Sequence, residues 1–189
     1  NKGSLGANAI LGVSLAVDFA DKAKDDAFKK PALPTRNNDG LLALYAMNEA
    51  GYANLMKLVS KAHLESSDVD GPHITIAALE SHAAGLIVLT GGPDGPIDRT
   101  IRDMQAALAR ARLTRLLSFM GDRLYVELQR HGAPAEIEVE PQLIDLAYAL
   151  GVPLVATNEC YFAKPDDYES HDALIAIAEG RFVSEDNRR

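Results

Sequence analysis

The stretch RLYVELQRHGAPAEIEVEPQLIDLAYALGVPLVATNE, residues 123–159, decides the fold class of this 189-residue chain. Residues 123–129 read as a short, largely apolar strand. Residues 136–150 read as a helix, and Gly151 stands where a helix stop is expected. Residues 153–157 are again apolar and of strand length. A strand, a helix and a second strand in this order make a parallel crossover unit.

The same rhythm extends in both directions. Toward the amino end, residues 86–90 form a buried strand, and TGGPDGP (residues 90–96) is a turn cluster leading into a long helix over 97–120. Residues 66–72 read as a loop and 76–82 as a short helical turn. Residues 41–47 form the first strand of the rhythm. Asn48 then caps a helix that places Tyr52, Leu55, Met56 and Val59 on one face. Toward the carboxyl end, residues 165–179 form the last helix, with Pro165 near its first position. Four such units with continuous apolar strands predict an α/β fold with a parallel sheet covered by helices. An open sheet could close with four or five strands. A barrel needs more, and would then lack strands at its front. Residues 21–40 are polar and punctuated by Pro31, Pro34 and Gly40, which reads as a solvated loop. Residues 5–19 are small and apolar, with Ala and Leu favouring helix.

Composition narrows the function. The net charge is −8, against the basic patch expected of a domain that grips nucleic acid by itself. Arg99, Arg102, Arg110, Arg112 and Arg115 scatter around their helix with Asp98 and Asp103 among them, which reads as a solvated face. The lone Cys160 excludes an intramolecular disulfide and a thiolate metal cluster, and fits a reducing cytoplasm. Apolar runs are too short to span a bilayer, and no secretory signal pattern is present. Asn1 in place of Met predicts a start inside a longer reading frame.

In parallel α/β folds the functional groups gather at the carboxyl ends of strands. Four places qualify: residues 48–49, 90–95, 127–132 and 157–161, the last three being expected to share a rim. The glycines of TGGPDG could bring N–H groups to an anion, but no Gly-Lys-Ser/Thr ending follows, so turn chemistry is the reading preferred. His131 could be a metal ligand or a base, with a polar-contact histidine the simpler reading. His171 reads as a packing or hydrogen-bonding histidine. His63, His73 and His82 have no evident catalytic partner. Glu159 and Cys160 lack the spacing of a metal pair, and Tyr161 is a poor ligand. The residues alone therefore describe an α/β domain with a polar rim and no complete catalytic set.

Longer phrases carry a resemblance. NEAGYANLMKLVSKAHLE (residues 48–65) resembles the NEEGYxNLxKLxSxAxLE segment of bacterial DNA polymerase III alpha subunits. GDRLYVELQRHG (121–132) and LIDLAYALGVPLVATNECYF (143–162) resemble that family's YxELQRHG and LxxLAxxLGxPLVATNDVHY. DYESHDALIAIAEGRFVSEDNRR (167–189) is similar to its DAxxHDALLCIxxGxxxxDxxR. The resemblance covers roughly residues 12–189 and implies a PHP (polymerase and histidinol phosphatase) domain. That fold is a distorted (β/α)7 barrel with parallel strands, incomplete here because the front strands are missing.

NKGSLGANAILGVSLAV (residues 1–17) resembles a different family, enolase, in a helix of its small N-terminal domain that carries no catalytic or magnesium-binding residue. The implied organisation is an enolase-like leader over 1–17 overlapping the junction, a polar loop over 18–40, and a partial PHP domain over 41–189. The two resemblances conflict over residues 10–17. Burial is worth more than helix propensity, so residues 13–19 are expected to pair as a strand beside 41–47, leaving 5–10 helical or frayed.

Active PHP domains hold a metal cluster at the carboxyl ends of their strands. The resemblance places Ser14 where such members carry a Glu, Gly92 where they carry a Cys, and Asn158, Glu159, Cys160 and Tyr161 on an Asn-Asp-x-His set. Only His131 keeps its family identity, and Glu159 keeps its charge. The rim reads as vestigial, with His131 and Glu159 as weak metal candidates, and no catalytic residue or cofactor is expected. The resemblance further implies a fragment of a replicative polymerase whose magnesium-dependent chemistry lies elsewhere in the subunit. This degenerate PHP domain would dock the polymerase body and the proofreading exonuclease subunit in the cytoplasm. It would meet DNA only through the parent enzyme and have no membrane role. The rival reading is a metal-dependent phosphoesterase or 3′–5′ exonuclease working through the remnants around His131. A weaker one is an enolase fragment, supported by the leader only.

Overall fold

The apolar front of the chain enters the sheet. Strand β1 (Gly12–Asp18) pairs antiparallel with β2 (Leu41–Ala46), with Val13 opposite Leu44 and Leu15 opposite Leu42. Leu15, Ala16 and Val17 are buried. Each large apolar side chain taken out of water contributes roughly 1.5–3 kcal/mol, more than the tenths of a kcal/mol by which propensity favours helix here. The strand expected over 13–19 is present. The structure, a computed structural model, describes residues 12–19, 40–66, 71–158 and 161–185. The expectation for residues 5–10 and most of the loop expected over 18–40 lie outside them.

The remaining elements are α1 (Glu49–Glu65), β3 (Ile74–Thr75), α2 (Ile76–Ser81), β4 (Leu86–Leu89), α3 (Pro96–Arg102), α4 (Ala106–Met120), β5 (Leu124–Leu128), α5 (Pro134–Leu150), β6 (Leu154–Ala156) and α6 (Tyr168–Glu179). Among the described residues the sheet has six strands in the order β3-β1-β2-β4-β5-β6 and does not close. The β1/β3, β4/β5 and β5/β6 pairs are parallel. The architecture is thus α/β with a mostly parallel, open sheet, consistent with a partial barrel. Strand β2 departs from the parallel expectation, running antiparallel to β1 and to β4. Its connection to β4 has two helical legs, α1 and α2, and Met47 N–H donates to the Gly85 carbonyl at 2.8 Å at its mouth. The chain therefore re-enters the sheet at the edge it left. Strand β3, two residues long, is too short to show in the sequence pattern.

Leu42 and Leu44 of β2, Leu86 and Val88 of β4, and Leu124 and Val126 of β5 form the centre of the core. Helix α1 packs on β2 and β4 through Gly51, Leu55, Leu58 and Ala62. Tyr52 and Met56, expected on that face, are 46% and 49% exposed. Gly51 sets the rotation: a Cβ there would stand 1.9 Å from the Gly85 carbonyl oxygen, so the helix meets its neighbour at the smallest residue. Asn48 caps the helix as expected, its Oδ1 accepting from Gly51 N–H at 2.9 Å. Asn48→Ala is expected to lose about 1 kcal/mol of stability in urea denaturation.

The long helix expected over 97–120 is two helices. Met104, at φ 59°, turns the chain between α3 and α4. A left-handed residue ends a right-handed helix, and Gln105 N–H closes the turn on the Thr100 carbonyl at 2.9 Å. Ile97 and Ile101 of α3 and Ala109, Leu113, Leu116 and Met120 of α4 are all buried.

The described residues up to Thr157 make one compact unit and those from Asn158 on a second. In the second, a 3-10 turn over Pro165–Asp167 runs into α6. The His171 ring lies 5.5 Å from that of Tyr161 and 5.3 Å from that of Phe162, a packing histidine as expected. Among the described residues, no helix is long and apolar enough to cross a membrane.

Candidate functional site

Strands β4, β5 and β6 are mutually parallel, so their carboxyl ends share one edge of the sheet. The first strand end named in the sequence, Asn48–Glu49, lies at the opposite edge because β2 runs the other way.

Glu127 joins the shared edge together. By strand alternation it points away from the face that buries Leu124 and Val126, yet it is only 6% exposed. Its Oε2 accepts from Gly91 N–H at 3.0 Å. Its Oε1 accepts from Thr157 Oγ1 at 2.5 Å and from Gln129 Nε2 at 3.2 Å. Its own N–H donates to Thr90 Oγ1 at 3.0 Å. One carboxylate thus ties the end of β4 to the ends of β5 and β6. The glycine turn does approach an anion, but that anion is the chain's own carboxylate. Gly91 takes φ 85° to do so, and the buried Gly92 packs on the Gln129 side chain.

His131 follows β5 and belongs to the start of α5. Its Nδ1 is 2.9 Å from Glu136 Oε1. Glu136 Oε2 accepts from Gly132 N–H at 3.0 Å and from Ala133 N–H at 3.1 Å. This satisfies backbone donors at the helix entry. Burial alone would raise the Glu136 carboxyl; the bonds from His131, Ala133 and Gly132 outweigh it and hold the group below its ordinary value. On the outer side Arg130 grips Glu140 at 3.0 and 2.7 Å.

Asp98, in the first turn of α3, is 5% exposed, and its Oδ1 has no hydrogen-bond partner. Together with Glu127, Gln129, Glu136 and Glu140 it lines a cavity of about 10 Å³. The helix surface expected to be solvated is therefore partly engaged. Arg112 Nη1 donates to Thr100 Oγ1 at 2.6 Å and to the Pro96 carbonyl at 3.1 Å, and its guanidinium lies 5.2 Å from the Phe19 ring centroid. Arg115 pairs with Glu80 of α2.

Ser14 sits mid-strand in β1, opposite Ala43. Asn158 is exposed and opens the second unit. Glu159 and Cys160 lie outside the described residues. Tyr161 stacks near His171 in the second unit. Among the described residues, no three His, Cys, Asp or Glu side chains are grouped so as to hold a metal ion. The Nδ1 of His131 is taken by Glu136. Sequence reading missed the roles of Asp98 and Glu136. Glu127, a carboxylate between Val126 and Leu128 in an apolar strand, was the visible signal of a buried polar tie.

The family model of the PHP domain matches residues 3–131, well over half of the chain. The chain belongs to the PHP domain family. The match takes in most of the enolase-like stretch, β1 through β5, and the glycine turn, and it ends at His131. This PHP domain is 49% identical over 148 residues to the DNA polymerase III subunit alpha of Caulobacter vibrioides, covering 78% of this chain and 13% of that protein. It is 38% identical over 136 residues to the subunit of the same name from Thermus aquaticus, covering 72% and 11%. A third, from Treponema pallidum, is 33% identical over 184 residues, covering 97% and 15%. The chain thus spans about one eighth of the length of these curated relatives.

Proposed function

We propose that this PHP domain is a structural and docking module of a DNA polymerase III alpha subunit, part of a cytoplasmic replicase. It would dock the polymerase body and the proofreading exonuclease subunit, and would meet DNA only through the parent enzyme. The observation that carries this reading is the rim itself. Its Glu127 binds donors from three strand ends, and its His131 binds Glu136 at the entry to α5. A site built to work on a phosphate would aim such groups outward.

The docking half of the proposal is supported by the second unit. Around α6, Leu174, Ile177, Phe182 and Val183 are 63%, 75%, 76% and 54% exposed. Apolar groups clustered on a surface mark an interaction site. The short share of the relatives' length supports a fragment of such a subunit, with the magnesium-dependent polymerase chemistry placed in the rest of it. On this reading the enolase-like phrase contributes β1 to the sheet and no enolase chemistry.

Co-elution tests the proposal. The purified chain is mixed with the remainder of a closely related alpha subunit and, separately, with its exonuclease subunit. A one-to-one complex with the former is expected, weakened at least about 10-fold by Ile177→Asp, a loss of roughly 1.4 kcal/mol. No complex with either partner at high micromolar concentration would sink the docking role.

A further inference from the structure

We infer that the cavity beneath the rim is a proton site: Asp98 stays uncharged in the folded chain, and losing that proton loosens the seam between α3 and α5. The inference stands on the geometry of Asp98. The residue is 5% exposed, and Oδ1 has no partner. Ionised, the carboxylate would have its own backbone N–H as a donor but a buried Oδ1 with no partner, too little to carry a charge out of water. The cavity, at about 10 Å³, is at the lower limit for one water molecule, and no three metal-ligating side chains are grouped at it among the described residues. Neither a hydrated cation nor a metal with protein ligands fits, which leaves a proton.

The surrounding charges favour the same state. From β5 comes the Glu127 carboxylate, and from α5 come Glu136 and Glu140. Of these, Glu136 is bonded to His131 and Glu140 to Arg130. On α3 itself Arg102 lies one turn on, while Arg99 pairs with Asp94 of the preceding turn. From α4, Arg112 reaches α3 but bonds Pro96 and Thr100. Burial pushes the Asp98 carboxyl up to about 8; Arg102 opposes the rise and Glu127 adds to it.

The sign follows from linkage. The folded-state value is raised above the ordinary 3.8 that the unfolded chain keeps. The Asp98 contribution to stability is therefore complete below about pH 4, is lost progressively as pH climbs toward about 8, and is constant above that.

Two measurements on the full chain test the inference. Urea denaturation at about pH 5, 7 and 9 should show the wild-type midpoint falling with pH, and Asp98→Asn should remove most of that fall. Parallel wild-type and variant profiles would overturn the proposal. The second does not depend on the variant folding. The infrared carbonyl stretch of a protonated carboxyl should be present in the wild-type chain at neutral pH and vanish as pH rises past about 8. Absence of that band at neutral pH would overturn the proposal whatever the variant does.

Discussion

Gly91→Ala is expected to cost at least about 3 kcal/mol and to leave little folded protein at moderate temperature. Gly91 holds φ 85°, which an L side chain adopts only under strain. A Cβ there would stand 1.8 Å from the Leu41 carbonyl oxygen and 3.2 Å from Gly95 Cα. The first contact is with backbone at the start of β2, so no rotamer change relieves it. Moving the turn would pull Gly91 N–H from Glu127 and open the junction of β4, β5 and β6. Urea denaturation of wild type and variant reads the loss. A change within about 1 kcal/mol would mean that the turn yields easily and that the Glu127 tie is unimportant.

Glu127→Ala is the second large effect, expected at about 2–4 kcal/mol. The substitution leaves the Gly91 N–H, Thr157 Oγ1 and Gln129 Nε2 without their shared acceptor. A buried donor left unpaired costs roughly 1–3 kcal/mol, and bonds to a charged acceptor are the stronger kind. Gln129 and Thr157 are partly exposed and can turn to water, which keeps the total below the sum of three such losses. Removing Glu127 also removes a like charge beside Asp98, so the Asp98 carboxyl should titrate at lower pH in this variant. Denaturation reads the first effect and the infrared carboxyl band the second. A loss of stability with no movement of the Asp98 titration would show that the two carboxyls do not sense each other.

The sequence carried the strands and helices well because their burial follows the pattern. Residues 123–157 became β5, α5 and β6 nearly as written, since Leu124 and Val126 alternate inward and Val139, Leu143 and Ala147 recur at helical spacing. The strand over 13–19 was legible because apolar burial outweighs propensity. What escaped were features decided by single contacts. Met104 adopts a left-handed turn that no residue preference announces, so one long helix was expected where two exist. The α1 face was set by Gly51 against Gly85, a contact 34 positions apart in the chain, so Tyr52 and Met56 were placed inside. At the rim, His131 was visible as a residue but its partner was not, because Glu136 reads as an ordinary acidic first turn of a helix. Asp98 reads the same way in α3, and only the packing of α3 against α5 makes it buried.

Metal content, joined to phosphodiester hydrolysis, decides most directly whether this rim closes a fold or performs chemistry. The purified 189-residue chain is dialysed after exposure to zinc, manganese and magnesium in turn, analysed for bound metal, and assayed on an activated phosphodiester and on single-stranded DNA. A rim whose Glu127 and His131 are engaged within the chain predicts no stoichiometric metal and no metal-dependent hydrolysis. Tightly held metal at a whole-number ratio to the chain, with hydrolysis that His131→Ala abolishes while the fold persists, would contradict it.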